Sequence, residues 1–415
     1  MFPSRMITTM NGNKFRDDHS LSLDGSNDYL AFGDITALDG LNEMTISMWV
    51  KYKDTNNQIF ISKGDYNTSG SSFYFNISPT TDNGRLRLSV GNADSDSGGF
   101  WYRNSMSDAS LTGRLNINEW NHLAVTYSVP DETVYFYING FEYLEGSGAG
   151  DSTFIAIPNT SHELKIGTDS SENSFFYGNI SDTAIYDTKL SHSQIKMIYN
   201  GREPYNHKEG PLSKNLVCWW RMGDGALDSY PLVTDSSATT SLGADIITNG
   251  TFDSNVTGWS DYSSGTVSHE TTITHSGAGS LKCTFDGTNY WGGMQTSDIG
   301  SVQANTLYVV EAYIYIPSGF DGGNCRLTDG ASFSGATPEE DLSADSSITN
   351  EWQLSKTVFR TGPTDTAGKL YIRTASNPSD TKYIFVDSVT MRPVTGGNPG
   401  HTYNMTSGDI VGDTP

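Results

Sequence analysis

The chain has 415 residues, enough for two or three domains, and a formal net charge of −23 with 18 % charged and 12 % aromatic residues. Such acidity repels phosphate backbones and excludes nucleic acid as a partner, while it suits solubility and divalent cations. No stretch approaches the roughly 18 apolar residues of a membrane span, and the opening MFPSRMITTMNGNKFRDD lacks the apolar core of a secretory signal. The expectation is a protein made and assembled inside a cell, with no membrane insertion.

The first eighteen residues (1–18) are polar and aperiodic, the pattern of an arm that orders against a partner. From His19 onward come short runs rich in β-branched and aromatic residues: SLSLDGSNDYLAFG, TISMWVKY, QIFISKGD, SFYFNISP and RLRLSVG. Gly, Asn and Asp punctuate them, as turns between strands require. In TISMWVK, Ile46, Met48 and Val50 share one face, while Ser47, Trp49 and Lys51 share the other. TVYFYINGFEYLEG (133–146) reads as a hairpin, with Asn139-Gly140 supplying the positive φ angles of a tight turn.

One helix is predicted near 191–200, SHSQIKMIYN. Ser191 with Gln194 forms a capping box, and Ile195, Ile198 and Tyr199 give an apolar stripe. Next comes NLVCWWRMGDG (215–225), which looks like the opening strand of a sandwich although a complete set of strands precedes it. Either it completes the preceding sheet or it opens a second, truncated copy; no second set of landmarks follows.

A second series begins near 246 with IITNGTFDSNVTGWSDYSSG and runs through GSLKCTF, LYVVEAYIYIPSG, EWQLSKTVFRTG, GKLYIRT and KYIFVDSVTMRPV. Leu307, Val309, Glu311, Tyr313 and Tyr315 alternate with Tyr308, Val310, Ala312, Ile314 and Ile316, so one face of that strand is buried. Trp259 and Trp352 read as inward core residues. The fold class is therefore all-β, two antiparallel β-sandwiches at 19–237 (closing strand 215–223) and 246–394, followed by an aperiodic tail at 395–415. Cys218, Cys283 and Cys325 are odd in number and far apart, and read as small buried hydrophobes.

Residues 19–200 resemble the laminin-G-like, concanavalin A-like jelly roll. The landmarks occur in order: SLDGSNDYL (22–30), TISMWVK (45–51), FISKGD (60–65), NEWNHLAVTYS (118–128), VYFYINGF (134–141), ELKIGTD (163–169) and FFYGNISDTAIYDTKLSHSQIKMIYN (175–200). Residues 246–394 resemble galactose-binding-like carbohydrate-binding modules through TNGTFDSNVTGW (248–259), the Gly279–Phe285 strand, LYVVEAYIYIP (307–317) and KYIFVDSVTMRP (382–393). WWRMGDG with a distant tail like NMTSGDIVGDTP (404–415) resembles modular virion proteins of marine tailed bacteriophages, in which strand and tail lie near each other. That resemblance implies a second sandwich inserted into the tail of the first.

Sugar binding on a sandwich uses ring faces that stack on pyranose C–H surfaces, with amides or carboxylates beside them. In the second sandwich Tyr262, Tyr290, Trp291, Glu311, Tyr313 and Tyr315 are the candidates. Tyr313 and Tyr315 alternatively cover a flank facing the first domain. Calcium is the metal that abundant Asp, Asn and backbone oxygen suit. The jelly-roll resemblance implies a structural ion near Asp182, with Asp24 or Asp235 as partners; the carbohydrate-module resemblance implies one clipping the first strand to the last through Asp253 and Asp387.

No E-x-D-x-E strand, G-x-S-x-G elbow, HExxH or P-loop occurs in the chain, and His122 beside Trp120 reads as packing. The resulting expectation is a non-enzymatic virion structural, decoration or fibre protein of a tailed bacteriophage, exposed on the virion surface. It would be present in many copies, hold other virion proteins through its arm or tail, and adhere to host cell-surface glycans. The rivals are a purely architectural decoration protein and a carbohydrate-binding accessory module of a glycosidase system.

Overall fold

In the computed structural model the described residues are 15–54, 58–64, 71–77, 86–91, 100–105, 115–146, 154–263, 265–288, 292–334 and 342–415. Two antiparallel sandwiches account for almost all of the described secondary structure, with one short α-helix, His192–Tyr199. Ser191 caps that helix by a reciprocal capping box with Gln194, and Ile195 and Ile198 are its buried residues.

The first sandwich is built as period-two patterning requires. One layer runs in the order Phe141–Gly146, Thr133–Ile138, Asn121–Ser128, Glu43–Tyr52, Tyr177–Tyr186, Ser20–Asp24 and Ile410–Val411. The other runs Leu232–Val233, Gly400–Tyr403, Tyr29–Ala31, Leu164–Ile166, Gln58–Lys63, Phe73–Ile77, Leu86–Gly91 and Phe100–Ser105. Ile46, Met48 and Val50 point into the shared core with Phe60, Phe75, Val125 and Phe136. Trp49, on the alternate face, is equally buried, because His122 and Tyr199 cover it at ring-centroid distances of 5.2 and 5.9 Å. The hairpin turns at Asn139 (φ +51°) and Gly140 (φ +77°), both in the left-handed region that a two-residue connection demands.

The late WW strand has a definite place. Ser20–Asp24 pairs with residues 177–180 of the long strand Tyr177–Tyr186, and Leu216–Trp220 pairs with residues 183–186 of the same strand. Two short strands, far apart in sequence, thus share one edge. Between them the register shifts, and Asp182 adopts φ +45°.

The segment 395–415 has no sequence period because its pieces join separate layers of the sandwich. Gly400–Tyr403 lies between Leu232–Val233 and Tyr29–Ala31, and Ile410–Val411 extends Ser20–Leu21. Rather than a free tail, it is part of the first sandwich. At the other end, residues 15–18 also pack on that sandwich. Phe15 lies 5.6 Å from the Trp219 ring, and Asp17 meets the Arg221 guanidinium at 2.6 Å. The rest of the predicted arm, 1–14, lies outside the described residues.

The second sandwich is inserted between residues 237 and 400. Ser241–Leu242 and Val394–Thr395, the entering and leaving strands, pair with each other. One sheet has the order Thr266–Glu270, Ser280–Thr284, Tyr383–Thr395, Leu307–Tyr315, Trp352–Arg360; the other has Trp259–Tyr262, Gly293–Thr296, Tyr371–Thr374, Cys325–Thr328. Their core holds Trp259, Met294, Tyr308, Ile314, Phe359 and Ile372, with Cys283 and Cys325 among them. All three cysteines are buried and free.

The two sandwiches touch through Leu232 of the first and Leu307, Val309 and Val358 of the second. Lys356 Nζ donates to Ser229 Oγ at 2.7 Å beside that apolar patch.

Candidate functional site

Along the four-stranded sheet, side chains alternate between core and open face. Ile372, Met294 and Leu327 face inward, so their neighbours Tyr371, Arg373, Gln295, Arg326 and Thr328 face outward, all part-exposed. Tyr262 sits opposite Gly293, which in turn sits opposite Arg373. A side chain at Gly293 would place its Cβ 1.9 Å from the Ile372 carbonyl oxygen, so the middle position of this row stays bare.

Across that gap the Arg373 guanidinium lies 4.4 Å from the Tyr262 ring centroid and 4.6 Å from that of Tyr371. The two tyrosine rings meet edge to face, 4.9 Å apart at 73°. Beside them the Gln295 amide donates to the Asp261 carbonyl at 3.2 Å. Rings, guanidinium, amide and hydroxyl thus converge on one outward patch, which can stack on a sugar ring and donate to its hydroxyls. The pair of carboxylates that glycoside hydrolysis requires is not among the described outward residues of this sheet.

Of the predicted sugar-binding residues, Tyr262 alone lies on this face among those described. Tyr290 and Trp291 lie outside the described residues. Glu311, Tyr313 and Tyr315 stand on the outer face of the opposite sheet. Glu311 is 3.9 Å from Lys356, Tyr313 stacks on His275 at 3.6 Å, and Tyr315 meets Trp352 at 5.6 Å. Trp259 packs inward as expected. Trp352 does not: it pairs with Tyr315 on the outward side, because the alternation that buries Phe359 and Ser355 puts 352 on the other parity. Tyr371 and Arg373 were legible in GKLYIRT as alternating outward residues, but nothing in the sequence alone placed them opposite Tyr262.

The predicted metal residues separate into two groups. Asp24 closes its own turn, accepting from the amides of Ser26 (2.7 Å) and Asn27 (3.2 Å), and it pairs with Tyr177. Asp182 lies five residues further along that strand, about 16 Å away at the usual rise per residue. Its carboxylate is buried against the Trp219 indole N–H and, at 3.4 Å, His207 Nε2; the other imidazole nitrogen meets the Tyr186 hydroxyl. Asp235 accepts from the amides of Trp219 (3.0 Å), Ser237 (2.8 Å) and Asn398 (2.8 Å). The three are not brought together, and their oxygens already serve as strand and turn clips.

Asp253 and Asp387 do converge, on the loop 275–278. Asp387, fully buried, accepts from the amides of His275 (2.8 Å) and Ser276 (2.9 Å), and Asp253 accepts from that of Ala278 (2.6 Å). The Ala278 amide, with the Thr251 hydroxyl, holds the Asp253 carboxyl below its ordinary range. Carboxylate oxygens are hard ligand atoms, of the type calcium takes. Among the described residues no group of three or more His, Cys, Asp or Glu is placed to hold a metal.

His122 is fully buried, shares a 2.9 Å hydrogen bond with Ser47 Oγ, and is pushed down to about 3 by burial. It is a neutral packing residue.

Comparison with known proteins matches two separate segments of the chain. Residues 24–196 match the concanavalin A-like lectin/glucanases superfamily, and residues 244–381 match a carbohydrate-binding domain family. Among solved structures, a putative carbohydrate-binding protein from Bacteroides ovatus is 14 % identical, covering 54 % of this chain and 56 % of its own, with a TM-score of 0.38. A heptameric SAP-like pentraxin from Limulus polyphemus is 18 % identical over 44 % of this chain and 82 % of its own, with a TM-score of 0.33. The CBM40 of a Ruminococcus gnavus sialidase, solved with α2,3-sialyllactose, is 14 % identical over 43 % and 96 %, with a TM-score of 0.34. No curated protein matches the chain. One segment of the chain is thus similar to concanavalin A-like lectins and glucanases and a second segment is similar to carbohydrate-binding domains.

Proposed function

We propose that the chain is a non-enzymatic glycan-binding protein whose second sandwich holds saccharide on the open face of its four-stranded sheet. Tyr262 and Tyr371 supply the ring surfaces, and Arg373 and Gln295 supply donors to sugar hydroxyls. The observation that carries this reading is the Tyr262–Arg373–Tyr371 cluster on an outward face of the segment matched by the carbohydrate-binding family. Tyr290 and Trp291 immediately precede Gly292-Gly293 in sequence and belong to the same proposal.

The biological setting we propose is the surface of a tailed-phage particle, with many copies multiplying weak single-site contacts against host glycans. Other virion proteins are its proposed partners. The support for that setting is the resemblance of WWRMGDG and NMTSGDIVGDTP to modular virion proteins. An accessory module serving a glycosidase on another chain is the second reading, favoured by the carbohydrate-binding family match. Calcium enters the proposal at Asp253 and Asp387, as a clip between the first and last segments of the second sandwich.

The test is binding of the full chain to a glycan array, repeated with Tyr371→Ala and Trp291→Ala. Specific binding lost on Tyr371→Ala supports the face. Absence of binding at millimolar sugar supports the purely architectural alternative, and retention of host cells by particles bearing the protein separates the virion setting from the accessory one.

A further inference from the structure

The five-stranded sheet of the second sandwich carries a feature that the proposed site does not use. Register places Lys282 opposite Phe385, Phe385 opposite Tyr315, and Tyr315 opposite Trp352. These four outward side chains form one row across four adjacent strands, about 14 Å long at the usual strand spacing. Tyr315 lies 5.6 Å from Trp352 and 5.7 Å from Phe385, and Phe385 lies 5.4 Å from Tyr383. Successive planes are inclined by 63°, 75° and 74°, so the rings are walls and floor rather than a flat shelf.

Phe385 is 2 % exposed and forms the floor, while Tyr315, Trp352 and Tyr383 stay part-exposed around it. Lys282 closes one end with its ammonium 4.1 Å from the Tyr383 ring centroid. Next to the other end, His275 lies edge-on to Trp352 at 5.7 Å and stacks on Tyr313.

Further along this sheet face, Leu307, Val309 and Val358 are aliphatic and covered by Leu232 of the first sandwich. The face changes character along its length: an aliphatic patch flanked by Lys356 and Arg360 where the domains meet, and a run of aromatic rings away from that contact. Aliphatic burial is what domain contact uses. Rings tipped with hydroxyl, indole and ammonium groups instead suit a ligand that is apolar on its ring faces and polar at its edges.

We infer that this row is a second saccharide site, a trough for an extended oligosaccharide of a few rings crossing the strands. Trp352 and Tyr315 supply stacking and Lys282 donates at one end. The inference rests on the glycan-binding reading of the first face and goes beyond it. With saccharide sites on opposite faces of one sandwich, a single chain bridges two glycan strands and gains avidity without oligomerising.

The test is affinity electrophoresis of the full chain in gels cast with soluble xylan, mixed-linkage β-glucan, alginate or dextran. Three variants are compared with the wild type: Trp352→Ala with Tyr315→Ala, Tyr371→Ala alone, and all three together. Thermal melts confirm folding, and Trp352→Phe serves as the conservative control. The expectation is that Tyr371→Ala weakens retardation about tenfold, the worth of one lost ring contact, that the Trp352/Tyr315 pair weakens it at least as much, that Trp352→Phe retains most of it, and that the triple variant migrates freely. Retardation abolished by Tyr371→Ala and untouched by the Trp352/Tyr315 pair overturns the second site while leaving the first. Failure of every polymer to retard the wild type sinks both readings. A Trp352/Tyr315 variant that turns an oligomer into monomer without weakening retardation assigns the row to contact between copies and overturns the inference.

Discussion

The guanidinium of Arg360, on an edge strand of the second sandwich, donates to the Phe32 carbonyl of the first at 3.1 Å and to the Pro399 carbonyl at 2.7 Å. The approach is so close that a Cβ on Gly33 would sit 2.7 Å from Arg360 Nε, and Gly33 keeps φ +71°. Burial lowers the pKa of Arg360 below the ordinary arginine value, yet Nη2 donates to both of these carbonyls and Nη1 donates to the Asn305 carbonyl at 3.2 Å. Arg360→Met, which keeps the stem and removes the charge-assisted bonds, should cost about 3 kcal/mol in denaturant melts of the whole chain. A loss well under 1 kcal/mol would mean that the apolar patch around Leu232 and the Lys356–Ser229 bond couple the sandwiches without Arg360.

Asp387 is a second point where one carboxylate fixes several backbone groups, the amides of His275, Ser276 and Ser388. Asp387→Ala leaves buried N–H groups without acceptors and is expected to destabilise the second sandwich by about 3 kcal/mol. The calcium proposal adds a separate outcome. Millimolar calcium should raise the melting temperature of the wild type, a chelator should reverse the rise, and Asp387→Ala should show neither. An unchanged wild-type melt with chelator removes calcium and leaves the amide clip intact.

What the sequence reveals and what it hides follow from the range of the interactions. The His192–Tyr199 helix, the Asn139-Gly140 turn and the inward set Ile46, Met48 and Val50 depend on neighbours a few residues away, and the residues announce them. Placing Leu216–Trp220 beyond Ser20–Asp24 on a shared edge depends on two separate pairings with Tyr177–Tyr186, one of them more than 150 residues apart in sequence, which no local period encodes. Strand parity for Tyr313 and Tyr315 was readable; which of the two sheets they belong to was not. That is why Tyr262 and Tyr315, candidates for one site, stand on opposite faces. Trp352, read as an inward core residue with Trp259, differs for another reason: the alternation through Ser355 and Phe359 puts it outside.

The N-terminal segment introduces a pH dependence. Burial, then the charge of Asp182, pushes the Asp17 carboxyl up to about 8, against the pull of Arg221. An unfolded aspartate titrates near about 3.9, so between those values the native chain holds a proton that the unfolded chain has released. The stabilisation is fully present below about pH 4 and is lost as pH rises through about 8, at up to about 1.4 kcal/mol per unit. Asp17→Asn should flatten this decline and leave the variant more stable than the wild type at pH 9. Equal slopes in the two proteins between pH 5 and 8 would show that Asp17 stays ionised beside Arg221.

The strand Gly400–Tyr403 carries the last prediction, because it separates a structural tail from a free one. Thr402 N donates to the Pro231 carbonyl at 2.9 Å, Tyr403 stacks on Tyr29 at 4.5 Å and 7°, and the Tyr230 hydroxyl donates to the Met405 carbonyl at 2.6 Å. Both edges of the strand are occupied, so it is internal to its sheet, where proline is excluded for want of an N–H. Thr402→Pro should therefore lower the stability of the first sandwich by at least about 2 kcal/mol and expose residues 225–240 to limited proteolysis. Ser407→Ala, on an exposed turn of the same segment, should stay within about 0.5 kcal/mol of the wild type. A segment that only tethered the chain to a partner would tolerate both changes equally, and equal melts would return 395–415 to the role of a free tail.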